Sequence, residues 1–167
     1  MTTPNIKMVR IDERLIHGQG QLWINSLGAN LVIVANDEVS TSSIQQTLMK
    51  SLISKSIGMR FFSIEETCEK IHKASPKQSI FLVAKDPKDI LRLVEGGVPI
   101  TELNVGNIHY AEGKKQLTNY ISVGEEDLSA LKKLRLEHGL HFNTQTTPMG
   151  GDSGAGGLDL NKYVEEN

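Results

Sequence analysis

Short runs of apolar residues recur along the chain, each followed by turn residues and then by a longer stretch with helical spacing. Leu31-Val32-Ile33-Val34-Ala35 and Ile80-Phe81-Leu82-Val83-Ala84 are unbroken apolar runs, as expected for strands of a parallel sheet covered on both faces by helices. The pattern predicts strands over residues 6–11, 30–36, 59–63, 79–84, 102–105, 120–123 and 140–145, and helices over 19–27, 42–54, 64–73, 87–95 and 125–137. Asp86 before Pro87 has the residue types of an N-cap followed by a first helical position, and Gly96 and Gly139 fall where helices stop. In the last of these helices Leu128, Leu131 and Leu134 make an apolar stripe, with acids in the first turn and Lys132, Lys133 and Arg135 later, in the sense that the helix dipole favours. The alternation predicts a single α/β domain: an open, mostly parallel, doubly wound sheet with helices on both faces.

The domain is expected to span residues 1–146. Residues 147–167 hold a third of the 15 glycines and are expected to form a Gly-rich, mobile linker with a short element over 158–164. A length of 167 residues suits one core rather than two. Lys and Arg number 18 against 20 Asp and Glu, a net charge of -2 that is too balanced for a non-specific nucleic-acid binder. The single Cys68 excludes an internal disulfide, the first residues lack the apolar region of a secretion signal, and no run approaches a membrane span. The expected location is the cytoplasm, with no span of its own in a membrane.

In an open parallel sheet, reactive groups collect at the carboxyl ends of the strands. The first such loop reads Arg10-Ile11-Asp12-Glu13-Arg14-Leu15-Ile16-His17-Gly18-Gln19-Gly20. It sets one histidine among two arginines and an aspartate just before a helix, which are the components of a phosphohistidine site. An imidazole, with an unperturbed pKa of roughly 6.5, can attack phosphorus directly, while guanidinium groups and the free N–H groups of a helix start neutralise phosphoryl oxygens. Asp12 then serves best by holding an arginine or a backbone amide, because aimed at the phosphate it would repel it.

The string R-I-D-E-R-L-I-H-G-Q is very similar to the active-site signature of the IIB components of the mannose/fructose/sorbose family of bacterial sugar phosphotransferase systems. The similarity continues through A-N-L-V-I-V-A-N-D-E-V, Q-Q-T-L-M-K, V-E-G-G-V-P and N-V-G-N-I-H-Y-A-E-G-K-K-Q, covering roughly residues 5–145. The resemblance implies an open α/β sheet and a phosphotransferase: His17 accepts a phosphoryl group, on Nδ1, from a phosphorylated IIA component and passes it to a sugar taken up through the membrane components IIC and IID. It implies peripheral association with that permease. A-N-D-E-V and N-V-G-N-I-H-Y look more like the N-acetylgalactosamine or galactosamine branch than the mannose branch. Two positions depart from the family pattern. Gly20 stands where many members have valine, and Trp23 follows His17 by six residues instead of seven, which leaves open the backbone amides that face the phosphate.

Each candidate has a plainer role beside the chemical one. His17 and Arg14 are the expected catalytic pair; Arg10, Asp12, Gly18 and Gln19 are expected to bind phosphate or support the site. Arg10 could equally pair with Asp12, and Gln19 could simply open the helix. Asp37 and His109, at other strand ends, are candidates for the crevice or a partner contact, with turn formation the alternative for Asp37. Glu13 reads as surface and Trp23 as packing. No metal site is expected, because His72, His138 and His141 lack ligand spacing, and no cofactor is expected: Trp23 occupies the third glycine position of a dinucleotide fingerprint and no triphosphate-binding loop exists. Gly151-Asp152-Ser153-Gly154 echoes a serine-protease nucleophile by accident. The competing reading is a non-enzymatic, flavodoxin-like module that binds an anion or regulates; a nucleotide-dependent oxidoreductase comes third.

Overall fold

The computed structural model describes residues 3–149 and 158–167. Six strands, β1 (Asn5–Asp12), β2 (Leu31–Ala35), β3 (Gly58–Phe62), β4 (Ser79–Ala84), β5 (Glu102–Asn107) and β8 (His141–Asn143), form one sheet in the order β3-β2-β4-β1-β5-β8. Every pairing in it is parallel. β1 lies at the centre, with Arg10 in register with Val83 on one side and Asn104 on the other. Its carboxyl end therefore opens between two neighbours.

The helices α1 (Gly20–Leu27), α2 (Ser43–Ser51), α3 (Ile64–Lys70), α4 (Pro87–Glu95), α5 (Glu125–Lys132) and α6 (Leu160–Glu166) divide between the two faces. One apolar cluster joins Val9, Ile11, Leu103 and Val105 of the sheet to Ile64, Ile90, Leu131 and Leu160 of α3 to α6. The other joins Val32, Val34, Phe81 and Val83 to Trp23 and Ile24 of α1 and Met49 of α2. Because side chains alternate across a strand, Val9 and Ile11 commit Arg10 and Asp12 to the α1 side. Helix starts follow local chemistry: Ser42, Ser63 and Asp86 each accept a backbone N–H with the side chain, and Pro87 fills the first turn of α4.

Two expectations change. Of the strand predicted over 120–123, Ser122–Val123 (β7) pairs antiparallel with β6 (Lys115–Gln116) outside the main sheet, and Ile121 makes a single parallel bridge to Ile108 just past β5. The Thr118 hydroxyl accepts the N–H groups of Tyr120 and Ile121, closing a local turn that competes with sheet pairing. The helix predicted over 125–137 ends its α-helical part at Lys132 and continues as one π turn, Lys133–Glu137. The expected Gly-rich linker and the Gly151-Asp152-Ser153-Gly154 string fall largely or wholly on residues 150–157, outside the described residues. Beyond them α6 places Leu160 and Val164 in the main core, and Asn161 bonds both backbone groups of Phe142 in β8. Among the described residues, no helix is long and apolar enough to cross a membrane.

Candidate active site

The loop from Glu13 to Gln19 is held by its own apolar residues. Leu15 and Ile16 are buried at 6% and 5% exposure and pack in the cluster of Trp23, Ile24 and Ile53. Leu15 has φ 60°, a left-handed conformation that costs a non-glycine residue about 1–2 kcal/mol. Burying two such side chains returns about 1.5–3 kcal/mol each, so packing wins over strain. The Leu15 N–H also donates to Asp12 O at 2.8 Å. The tight turn lifts His17 to the rim of β1, where its side chain keeps 18% exposure.

Asp12 is the hub. Its carboxylate is wholly buried. Oδ2 lies 2.7 Å from His17 Nε2 and 3.4 Å from an Arg10 guanidinium nitrogen. Oδ1 accepts the Arg14 backbone N–H at 3.0 Å and Arg14 Nε at 3.3 Å. Burial alone would push this carboxyl up; the hydrogen bonds from His17 and the Arg14 amide, with the charge of Arg10, more than offset it and hold Asp12 below the usual carboxylate range. An ionised carboxylate at 2.7 Å requires a proton on Nε2, since two lone pairs cannot face each other at that distance. Arg14 Nη2, 3.2 Å from Nε2, is then a close cation and not a donor to the ring. In the neutral ring the tautomer assigned this way leaves the Nδ1 lone pair as an acceptor, and the Gln19 N–H donates to it at 3.5 Å.

Arg10 sits beneath this pair and is 3% exposed. Its guanidinium donates to Asn104 Oδ1 and Gln145 O besides pairing with Asp12, and it stacks 5.1 Å from the centre of the Trp23 ring. Burial lowers the Arg10 pKa, a shift that the Asp12 charge opposes. Gly106 makes room: a Cβ there would overlap the guanidinium. Arg10 thus pairs with Asp12 from beneath, buried away from the surface. Arg14 lies on the surface side, with its side chain 45% exposed.

The remaining candidates separate. Gln19 is the N-cap residue of α1 without a side-chain cap bond, and Gly18 is exposed with open space around its Cα. Asp37 accepts the Ile64 N–H and pairs with Arg92, each at 2.9 Å, so its bonds run to α3 and α4; these two contacts, the amide first, keep its pKa low. His109 joins the site edge through Glu13, whose carboxylate takes both the His109 N–H at 3.1 Å and Nδ1 at 2.6 Å. Glu13, read from sequence as plain surface, is therefore a half-buried link between the reactive loop and His109. Sequence reasoning also passed over Asn104 and Gly106, although β5 carries a signal: Leu103 and Val105 alternate with Asn104 and Gly106, marking one face that meets something polar. Among the described residues no cluster of His, Cys, Asp or Glu is arranged to hold a metal.

Residues 6–160 match the family described as the PTS system sorbose subfamily IIB component. The N-acetylgalactosamine-specific phosphotransferase enzyme IIB component 2 of Escherichia coli K12 is 49% identical over 133 residues, 79% of this chain and 85% of the relative. The mannose-specific EIIAB component of the same organism is 35% identical over 133 residues, which cover 77% of this chain and 41% of the longer protein. The crystal structure of an N-acetyl-galactosamine-IIB component from Streptococcus pyogenes superposes with a TM-score of 0.92 at 57% identity, covering 98% of this chain and 99% of that one. With the wholly parallel six-stranded sheet these likenesses place the chain in the sorbose subfamily of the phosphotransferase system, as a sugar-specific IIB component with a transferase role.

Proposed function

We propose that the chain is a phosphocarrier in which His17 Nδ1 accepts a phosphoryl group from a phosphorylated IIA component and delivers it to a sugar taken up through IIC and IID. The observation that carries this reading is the 2.7 Å contact between Asp12 Oδ2 and His17 Nε2, which fixes the proton on Nε2 and presents Nδ1 as the nucleophile. In the transfer, the Nδ1 lone pair forms a bond to phosphorus as the donor's N–P bond breaks, and the donor imidazole keeps that electron pair. The His17 ring, bearing a proton on Nε2 and phosphorus on Nδ1, gains positive charge beside the buried Asp12 carboxylate, which stabilises it. Arg14 offers its remaining guanidinium N–H groups, and Gln19 its backbone N–H, to the phosphoryl oxygens. The hydrogen bonds from His17 and the Arg14 amide, with the Arg10 charge behind them, keep Asp12 ionised, and Arg10 helps hold it in place. Among the described residues, the carboxylate that bonds the His17 ring, Asp12, does so at Nε2 and not at Nδ1, the nitrogen that would carry phosphorus.

The relatives' names support an N-acetylated amino sugar as the end acceptor; a cytoplasmic site of action and peripheral association with the permease belong to the same phosphocarrier reading. The chain need supply only positioning and charge neutralisation. Phosphorus NMR tests the reading: incubation with the phosphoenolpyruvate relay and IIA yields an acid-labile phosphoimidazole resonance on the full chain, absent in His17→Gln and severely slowed in Arg14→Ala. Label transfer through His17→Gln would refute it, and reversible, weak phosphate binding without a covalent resonance would favour an anion-binding module.

A further inference from the structure

Two cationic or potentially cationic groups share one oxygen beneath the reactive loop. His17 Nε2 and Arg10 Nη2 both donate to Asp12 Oδ2, at 2.7 and 3.4 Å, while Oδ1 serves the Arg14 amide and Nε. The imidazole has the short bond. A guanidinium facing a carboxylate without restraint closes to about 2.7–2.9 Å, so another partner holds Arg10 back at 3.4 Å. The second nitrogen of its fork, Nη1, donates to Asn104 Oδ1 and, at 3.3 Å, to Gln145 O.

Asn104 matches both neighbours. Arg10, Asn104 and Asn143 stand in register across β1, β5 and β8, which sets their side chains on one face of the sheet. Asn104 is 1% exposed, and its Nδ2 donates to Asn143 Oδ1 at 2.6 Å and to Gln145 O at 3.0 Å. Arg10 offers only N–H groups and the Gln145 carbonyl only lone pairs, so the carboxamide has one orientation and satisfies both. A carboxylate could serve the first alone.

We infer that Asn104 is a positioning residue for phosphoryl acceptance: by holding Arg10 off Asp12 Oδ2 it reserves that oxygen for the His17 Nε2–H, and so keeps Nδ1 the open nitrogen. The inference rests on the phosphocarrier reading. A carboxylate closed upon by a permanent cation is a weaker acceptor for the N–H of a neutral ring. Arg10 keeps its proton, whereas the imidazole can move its own to the other nitrogen. Released from Asn104, Arg10 would close on Oδ2 and the imidazole would yield.

The tautomer is the first readout. In ¹⁵N NMR of the unphosphorylated full chain the parent should show Nε2–H and Asn104→Ala a mixture. Asn104→Asp, which keeps the acceptor toward Arg10 and gives up only the donors, should show Nε2–H again. With phosphorylated IIA protein as donor, Asn104→Ala should lose about tenfold in kcat at unchanged KM, and Asn104→Asp should recover it. Ser63→Ala, which removes the cap of α3, is the stability control: it should lower Tm and leave tautomer and kcat parental. Retention of Nε2–H in Asn104→Ala overturns the inference, as does a tautomer mixture in Asn104→Asp or in Ser63→Ala. A parent chain that shows Nε2–H yet takes no phosphorus from IIA refutes the phosphocarrier reading instead.

Discussion

Asp12→Asn keeps the shape of the hub and removes its charge. Two losses follow from the geometry. The buried Arg10 guanidinium, 3% exposed, loses its counter-ion and keeps only Asn104 and Gln145 O; breaking a buried pair from one side costs about 3 kcal/mol. For a chain of this size that lowers Tm by about 6–12 °C. The His17 Nε2–H also loses a charge-assisted bond of 2.7 Å, worth about 1.5–3 kcal/mol, so phosphoryl transfer should slow by roughly 10- to 100-fold. Ring nitrogen shifts in ¹⁵N NMR read the tautomer directly: the parent should show Nε2–H and the variant a mixture. The acid limb supplies a second check. Asp12 has a pKa below its ordinary 3.8 in the fold, so its contribution is fully present above that value and is lost as pH falls through and below it. The variant should lack that part of the acid loss. A parent whose His17 carries its proton on Nδ1, or an Asp12→Asn variant with parental rate and Tm, would refute the reasoning.

Gly106→Ala should destabilise by about 1–3 kcal/mol in urea unfolding, because the new Cβ meets a guanidinium pinned by Asp12, Asn104 and Gln145 and unable to step aside; it should slow phosphorylation as well, through Asp12. Asp89 offers a pH test away from the site. Burial, with Asp86 next, raises its pKa from 3.8 to about 6. The folded state binds that proton more tightly, so stability falls as pH rises from 3.8 to about 6; Asp89→Asn should raise stability at pH 7 by about 1–2 kcal/mol and flatten this limb in pH-resolved thermal melts. Glu13→Gln should leave the His17 tautomer unchanged while raising the exchange rate of the His109 amide it now holds at 3.1 Å, measured by hydrogen exchange.

The sequence by itself determined the layers and the reactive loop. Unbroken apolar runs at β2 and β4 can be buried only between two helical layers, and Ser, Asp and Pro at helix starts act within a few residues of themselves. His17 and Arg14 were legible because they share one loop with Asp12, where spacing alone brings them together. The tertiary structure decided what Asp12 does. Its two oxygens serve His17, Arg14 and Arg10 at once only because the Leu15 turn folds the loop back over β1, and Arg10 finds Asn104, Gly106 and Gln145 only because β1 lies beside β5. The strand expected over 120–123 stays out of the main sheet for the converse reason: the Thr118 hydroxyl takes the Tyr120 and Ile121 N–H groups locally, and the Ser122 N–H goes to Ile108 O beyond the end of β5. Periodicity records which side of a strand or helix is apolar; it does not record which strands become neighbours, and a buried charge network is made entirely of such neighbours.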